Sequence, residues 1–298
     1  MRTTQKIAFN DVAIRALQQK KRLLSRFSSV INRGQFLEGL ENDKLVASLK
    51  KYLDVSYVHL VSSGHDALLL CLIALNLSKN DEVIVPANAY PTAFPTSLSG
   101  AKLILCDVDK NGQMSFESLK KMITQNTKVI ILVHMFGLVG NVKRVIALAK
   151  EKNTILIEDC AQAYGSSFNN NYVGALGDIG CFSFYPTKNF GTLGDGGAIM
   201  TNNKDYSNRI QLLKSYGEIV RYDSQIVSGH SRLPEIQAAV LNVYLESQDY
   251  IFISKNQMVL LGILHPVYSH SFPYWNISRY AALWTSPISS LFIFGTFS

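Results

Sequence analysis

The chain is short of cysteine, tryptophan and charge: its 298 residues hold four Cys, two Trp and eight Pro, and only 17% are Asp, Glu, Lys or Arg. Cys71, Cys106, Cys160 and Cys181 lie far apart with no C-x-x-C pair, which excludes a disulfide framework and a zinc-finger spacing. Each falls in an apolar strand- or helix-like segment, so buried free thiols in a reducing cytoplasm are expected. The N-terminus lacks the apolar stretch of a signal peptide, and no segment reaches the roughly 18–20 continuous apolar residues of a membrane span. Repeats, low-complexity tracts and a disorder signature are absent too. A hydrophobic fraction of 47% instead describes an ordered globular chain, long enough for one large domain or a large and a small one.

What charge there is leans positive, with a net +7. Much of it lies near the start, where Arg15, Lys20, Lys21, Arg22, Arg26 and Arg33 outweigh Asp11. A basic helix of this kind can touch nucleic acid or a membrane surface, but a solvated helix face is the simpler account. No nucleic-acid motif with interleaved aromatics accompanies it, so neither nucleic acid nor membrane is expected as a partner. A basic surface also suits an anionic small molecule.

From about residue 57 short apolar runs alternate with helix-like stretches. The strand candidates are 57–61, 82–85, 102–106, 128–133 and 154–158, followed by 179–184 and 197–201; helical stretches cover 66–77, 115–123, 142–152 and 233–245. Buried Val/Ile/Leu runs separated by helices predict an α/β fold with a mostly parallel sheet covered on both faces. Beyond about Leu245 the character changes. Residues 246–298 carry four formal charges, Glu246, Asp249, Lys255 and Arg279, together with both tryptophans, Trp275 and Trp284, and helix periodicity is lost.

The most informative stretch runs from Gly180 to Gly197. A strand ends at Pro186, Lys188 follows, and four glycines come within the next nine residues. The P-loop spacing is absent because the lysine precedes the glycines, and no G-x-G-x-x-G opens a helix here. Alone, Lys188 reads as a solvent-facing side chain. Held on a tight turn after a buried strand, it can instead be desolvated, as an amine that forms a Schiff base must be. A second element ends the strand near Ile155 in Glu158 and Asp159, with Gln162 three residues on. In isolation Asp159 caps the next helix. At the carboxyl end of a parallel strand it points into the ligand crevice, where an anion can keep the pyridine nitrogen of pyridoxal phosphate protonated and Gln162 can donate to the ring's phenolic oxygen. The third, Ser62-Ser63-Gly64 between a strand and a helix, offers free backbone N–H groups to a phosphate, a weak signal in any α/β protein. The fourth is Tyr90 after another strand end, an ordinary half-buried tyrosine by itself and otherwise a face to stack on a flat ring.

Together these blocks resemble the DegT/DnrJ/EryC1/StrS family of PLP-dependent sugar aminotransferases. The resemblance runs from about Ile7 to Leu245. It is most specific at Glu158-Asp-Cys-Ala-Gln-Ala, at Phe182-Ser-Phe-Tyr-Pro-Thr-Lys-Asn and at Gly194-Asp-Gly-Gly, with further blocks at 34–39 and 231–239. It implies a three-layer fold like the aspartate aminotransferases, with residues 1–245 as the PLP-binding large domain. It implies Lys188 as the catalytic lysine, which would carry the cofactor and shuttle the proton between the substrate carbon and C4′. Asp159 would pair with the pyridine nitrogen, Gln162 with the phenolic oxygen, and Ser183 with the phosphate beside Gly64 and His65, while Tyr90 would cover the ring. Members that lack the lysine run dehydration instead, and Lys188 argues against that branch.

The chain departs from the family pattern in three places. His65 stands where the family has Thr in Ser-Gly-Thr, so a hydroxyl donor is lost. His230 stands where the family has an Asn donated across the dimer interface to the neighbouring phosphate; an imidazole also donates, so His230 is expected to take that role. Residues 246–298 do not resemble the family's small domain. They are expected to be an atypical tail in its place, the product of a shifted frame or a divergent truncation.

The expected function is transfer of an amino group, from glutamate, onto a nucleotide-linked keto-sugar by a cytoplasmic homodimer that feeds polysaccharide or glycoconjugate biosynthesis. The rival readings are a catalytically impaired truncated remnant that keeps the PLP-binding fold, and a basic-helix binding protein. Two decoys are set aside. Asp107-Val-Asp-Lys-Asn-Gly112 opens like a calcium loop, but Ser118 occupies the twelfth position where Glu is required, so it is read as a turn. His134, at a strand end, is read as structural, and no metal-spaced cluster is expected.

Overall fold

The computed structural model describes residues 12–247. Three helices come first: α1 (Val12–Gln18), α2 (Lys20–Arg33) and α3 (Leu40–Leu53). Strands and helices then alternate as β1 (Tyr57–Val61), α4 (Gly64–Ala74), β2 (Glu82–Pro86), α5 (Tyr90–Leu98), β3 (Lys102–Cys106), α6 (Phe116–Met122) and β4 (Thr127–Val133). A 3-10 turn at Met135–Gly137 leads into α7 (Val142–Glu151) and β5 (Ile155–Asp159). A small hairpin, β6 (Ser167–Phe168) with β7 (Asn171–Tyr172), precedes β8 (Ile179–Ser183), β9 (Gly197–Thr201) and α8 (Lys204–Leu213). A second hairpin, β10 (Glu218–Val220) with β11 (Asp223–Ser224), leads to α9 (Glu235–Glu246).

Seven strands form one sheet in the order β1-β9-β8-β5-β4-β2-β3. The pairs linking β8, β5, β4, β2 and β3 are parallel, whereas β9 runs antiparallel to both β1 and β8. This is the mostly parallel α/β sheet expected from the sequence. Successive residues of a strand point to opposite faces, and the core divides accordingly. Val83, Val85, Ile131, Ile157, Cys181 and Ile199 share one apolar layer with Leu68, Cys71 and Leu72 of α4 and Ile210 of α8. Ile84, Ile130 and Leu132 face the other way, towards Leu119 of α6 and Val145 and Leu148 of α7. Farther along the sheet, Leu60, Phe182 and Met200 pack with Leu45 and Leu49 of α3 and Val240 and Leu241 of α9.

Every expected strand is present with its ends moved by at most a residue. Helix boundaries move more, for local reasons. α4 begins at Gly64 rather than at residue 66, because the Ser63 hydroxyl caps it by accepting the Asp66 N–H at 3.0 Å. It stops at Ala74, and Asn76 then turns left-handed at φ 54°. α9 begins at Glu235 rather than at residue 233, since Pro234 is extended, with φ −60° and ψ 145°. All four cysteines are free and buried. Among the described residues, no helix is long and apolar enough to cross a membrane. Beyond Ser247, the C-terminal tail expected from the sequence lies outside the described residues.

The N-terminal basic face is not merely solvated. Arg26 pairs with Glu41 at 3.2 Å and with Glu246 at 2.7 Å, and Arg33 reaches Glu41 at 3.4 Å. Its partners come from α3 and α9, so local charge counting misses them. Glu235, fully buried at the start of α9, accepts the N–H groups of Gly39 at 2.9 Å, Glu41 at 3.0 Å and Asn42 at 2.8 Å. It thereby caps α3, whose first N–H groups have no intrahelical acceptor.

Candidate active site

The crevice forms where parallel strands end, as in other open α/β sheets. β5 delivers two carboxylates in succession, and the pleat sends them to opposite faces. Glu158 turns towards His134, whose Nε2 lies 2.8 Å from Oε2, while its Oε1 accepts the N–H groups of Leu176 at 2.7 Å and Gly177 at 2.8 Å. The ligand atoms of His134, Glu158 and Cys160 lie within 4.8 Å of one another. Both Glu158 oxygens are already engaged, and burial pushes the Cys160 thiol up, away from the thiolate that binds metals. The trio reads as a hydrogen-bonded support beneath the crevice, with His134 Nδ1 buried and unpartnered. His134 is fully buried within this network.

Asp159 points the other way. Its Oδ2 accepts from the Thr92 hydroxyl of α5 at 2.7 Å, its Oδ1 accepts the Ala161 N–H at 3.1 Å, and its main-chain oxygen accepts the His134 N–H at 3.1 Å. Across the crevice, Lys188 lies on the turn that leaves β8. That turn is stapled by Lys188 N–H to the Tyr185 carbonyl at 2.9 Å, Thr192 N–H to the Phe184 carbonyl at 2.7 Å and Asn189 Nδ2 to the Tyr164 carbonyl at 2.5 Å. Burial pushes the Lys188 ammonium below the ordinary lysine range, against the opposing pull of the Asp159 carboxylate. A half-buried amine of this kind is biased towards its neutral, nucleophilic form.

Ser183, the last residue of β8, lies against the turn that opens α4. A Cβ on Gly64 would come within 2.5 Å of the Ser183 Cβ, and one on Gly197 within 2.3 Å of the Ser63 carbonyl oxygen. Glycine is therefore required for the turn to seat against β8 and β9. The first N–H groups of α4, at Gly64 and His65, precede the one that Ser63 caps. From behind, Ser231 braces the turn: its hydroxyl accepts the Ser62 N–H at 2.9 Å and donates to Asp66 at 2.7 Å, and the Ser62 hydroxyl also donates to Asp66.

The other expected residues are placed less tightly. Gln162 accepts the Phe136 N–H through Oε1 at 2.9 Å, which leaves its Nε2 as the donor end. Phe136 sits in the left-handed region at φ 59°, in a turn also held by Ser166 Oγ on the Gly137 carbonyl at 2.7 Å. Tyr90 is 72% exposed at the start of α5, edge-on to Phe94 with ring centroids 4.8 Å apart. His65 is exposed, and so is His230, whose ring lies 5.1 Å from that of Tyr216. The Asp107–Gly112 segment is a turn, in which Asp109 Oδ1 accepts the N–H groups of Asn111 at 2.8 Å and Gln113 at 3.1 Å. Sequence reasoning missed Thr92 and Ser231. Their contacts span 67 and 165 residues, and although Ser231 opens the block at 231–239, no local pattern announces either role.

The residues present fit pyridoxal phosphate. An amine whose pKa burial lowers, a carboxylate held by Thr92 and a turn seated closely by Gly64 against Ser183 lie at the ends of the sheet's strands. Solved structures of the same fold supply the class. DesV from S. venezuelae, solved in complex with a ketimine intermediate, overlays with a TM-score of 0.82 at 29% identity, covering 87% of this chain and 70% of that one. NtdA from Bacillus subtilis, solved with the cofactor PMP, overlays with a TM-score of 0.79 at 28% identity, covering 88% of this chain and 60% of that one. The fold is that of the PLP-dependent aminotransferases.

The DegT/DnrJ/EryC1/StrS aminotransferase family matches residues 17–261, and the chain belongs to it. The UDP-N-acetyl-3-dehydro-alpha-D-glucosamine 3-aminotransferase of Acidithiobacillus ferrooxidans is 36% identical over 242 residues, 80% of this chain and 66% of that protein. The dTDP-3-amino-3,6-dideoxy-alpha-D-galactopyranose transaminase of Aneurinibacillus thermoaerophilus is 37% identical over 246 residues, 82% of this chain and 68% of that protein. The chain thus spans about two thirds of the length of these two relatives.

Proposed function

We propose that this chain is a PLP-dependent aminotransferase that moves an amino group, from glutamate, onto a nucleotide-linked keto-sugar in the cytoplasm, for polysaccharide or glycoconjugate biosynthesis. The observation that carries the reading is the half-buried Lys188 amine within the electrostatic reach of the Asp159 carboxylate that Thr92 holds. The two relatives above act on UDP- and dTDP-linked sugars by their names, which supports a nucleotide sugar as substrate. No observation favours a dead remnant over this reading.

Bound here, pyridoxal phosphate supplies an aldehyde that links to amines and a ring that takes up the electron pair left when a proton departs the substrate carbon. Lys188 would be the amine that holds the cofactor at rest, and its freed amine would take the proton from the substrate carbon and return it at C4′. Asp159 would keep the ring nitrogen protonated. Gln162 would donate through Nε2 to the phenolic oxygen, Tyr90 would cover the ring, and Ser183 with the N–H groups of Gly64 and His65 would hold the phosphate. His230, which is exposed, would donate to the phosphate of a second copy in a homodimer. In this reading residues 1–245 would form the cofactor-binding unit.

Purified protein mixed with pyridoxal phosphate should absorb near the visible–ultraviolet border, and borohydride should fix the cofactor on the peptide that contains Lys188. Glutamate should then convert bound cofactor to its amine form, and a nucleotide-linked keto-sugar should convert it back. Absence of the Lys188 adduct would overturn the cofactor assignment; an adduct that no amino donor converts would overturn the transaminase assignment.

A further inference from the structure

The Thr92 hydroxyl is the one side-chain donor that reaches the Asp159 carboxylate among the hydrogen bonds described, and it comes from a different element. Thr92 is the third residue of α5, 2% exposed, two positions after Tyr90. A hydroxyl carries one proton, and the 2.7 Å contact to Oδ2 spends it on the carboxylate. On the opposite oxygen, the Ala161 N–H at 3.1 Å completes the grip, so rotation of the carboxylate about its last bond costs one hydrogen bond or the other. The fold invests an element in this arrangement. Pro91 sets the first turn of α5, and the Thr92 N–H bonds the Ala89 carbonyl at 3.0 Å, which fixes where the hydroxyl starts.

We propose that Thr92 is a positioning residue for the cofactor ring: it orients the Asp159 carboxylate and, by taking up part of its charge, limits how strongly that carboxylate draws the proton of the ring nitrogen. The assignment rests on the reading of Asp159 as the ring-nitrogen partner. A carboxylate relieved of one donor pulls harder on its remaining partner. The ring nitrogen then carries less positive charge, and the linkage to Lys188 holds its own proton to higher pH.

The test compares Thr92→Val, which keeps the shape and removes the hydroxyl, with Thr92→Ser, which keeps the hydroxyl. The readouts are the pH midpoint of the absorption change of the Lys188-linked cofactor and the cofactor dissociation constant. In Thr92→Val the midpoint should rise by about half a unit, and the carboxylate, freed to rotate away from the ring, should let the dissociation constant rise by about tenfold, the scale of one lost hydrogen bond to a charged group. Thr92→Ser should restore both. Should the valine variant not fold, Thr92→Ala removes the same hydroxyl without its bulk and is read the same way. A wild-type midpoint and dissociation constant in the hydroxyl-free variants overturns the proposal, as does an equal shift in the serine variant, which would make packing the cause. A wild-type protein that forms no Lys188 adduct overturns the cofactor reading itself, a result distinct from either.

Discussion

Two of the places where the molecule buries charge treat it in opposite ways. In the clamp formed by α2, α3 and α9, Glu41 and Glu235 are almost wholly buried, and their oxygens are taken by arginines, the Asn242 amide and three backbone N–H groups. At the crevice, Asp159 is held by two donors with lone pairs to spare, Gln162 has a free donor end, and Lys188 is desolvated with only distant compensation from Asp159. The first is a saturated network, in which charge fixes where helices meet. The second is held in shape but unfinished, the condition of a site that awaits a ligand. Buried charge alone therefore marks neither structure nor function; the unspent bonding capacity distinguishes them.

Removing the lysine gives the largest effect. Lys188→Ala should abolish the borohydride adduct and lower turnover by at least about a thousandfold, the range of a lost acid–base group. Its melting temperature should hold or rise, since a desolvated amine is removed. A variant that keeps its adduct would place the reactive amine elsewhere. The clamp should answer in the opposite way. Glu235→Ala leaves three buried N–H groups without an acceptor and should cost about 3 kcal/mol of stability, read as a lower denaturant midpoint, with the spectrum of bound cofactor unchanged while the protein is folded. A stable Glu235→Ala protein with altered cofactor absorption would reverse the assignments of the two regions.

A subtler contrast lies in pH dependence. Burial lowers the Lys188 pKa, and Asp159 works against it. The neutral amine reacts, so the rate of cofactor capture should rise with pH and level off below the pH expected of an ordinary lysine. Asp159→Asn removes the charge that favours the ammonium, so the plateau should move to still lower pH. The unfolded lysine holds its proton at pH values where the folded one has lost it, so this group's destabilising contribution fades as pH rises through the two pKa values. An upward shift of the capture profile in Asp159→Asn would refute the pairing of the two residues.

The sheet was legible because its strands are buried on both faces and read as unbroken Val/Ile/Leu runs; every candidate from Tyr57–Val61 to Gly197–Thr201 is a strand. Asp159 could be singled out because it closes such a run, where a polar residue stands out, and Lys188 because it follows one on a glycine-rich turn; Ser183 was reached only through the family resemblance. α3 and α5 could not. The first packs through a charged sequence whose Glu41 is neutralised by arginines 8 and 15 residues back. The second contains Pro95 inside the helix. The supports were illegible for the same reason, since Thr92, Ser231 and Glu235 act on partners 67 to 196 residues away.

The smallest expected effect sharpens the clamp side of the contrast. Arg22 and Arg26 both bond Glu246, at 3.1 and 2.7 Å, so a count of ion pairs would weigh them alike. Their surroundings differ. The Arg22 and Glu246 side chains are 44% and 42% exposed, whereas Arg26 is 21% exposed and also reaches the buried Glu41. Water screens the first pair and competes for its hydrogen bonds, and holding two long side chains in one geometry costs entropy. Arg22→Ala should therefore change stability by no more than about 0.5 kcal/mol, with that small change vanishing in high salt. Arg26→Ala strips a partner from a carboxylate that is 1% exposed and should cost several times as much, largely independent of salt. Equal losses in the two variants would mean that the clamp draws its strength from summed surface charge, and that burial of Glu41 contributes nothing to it.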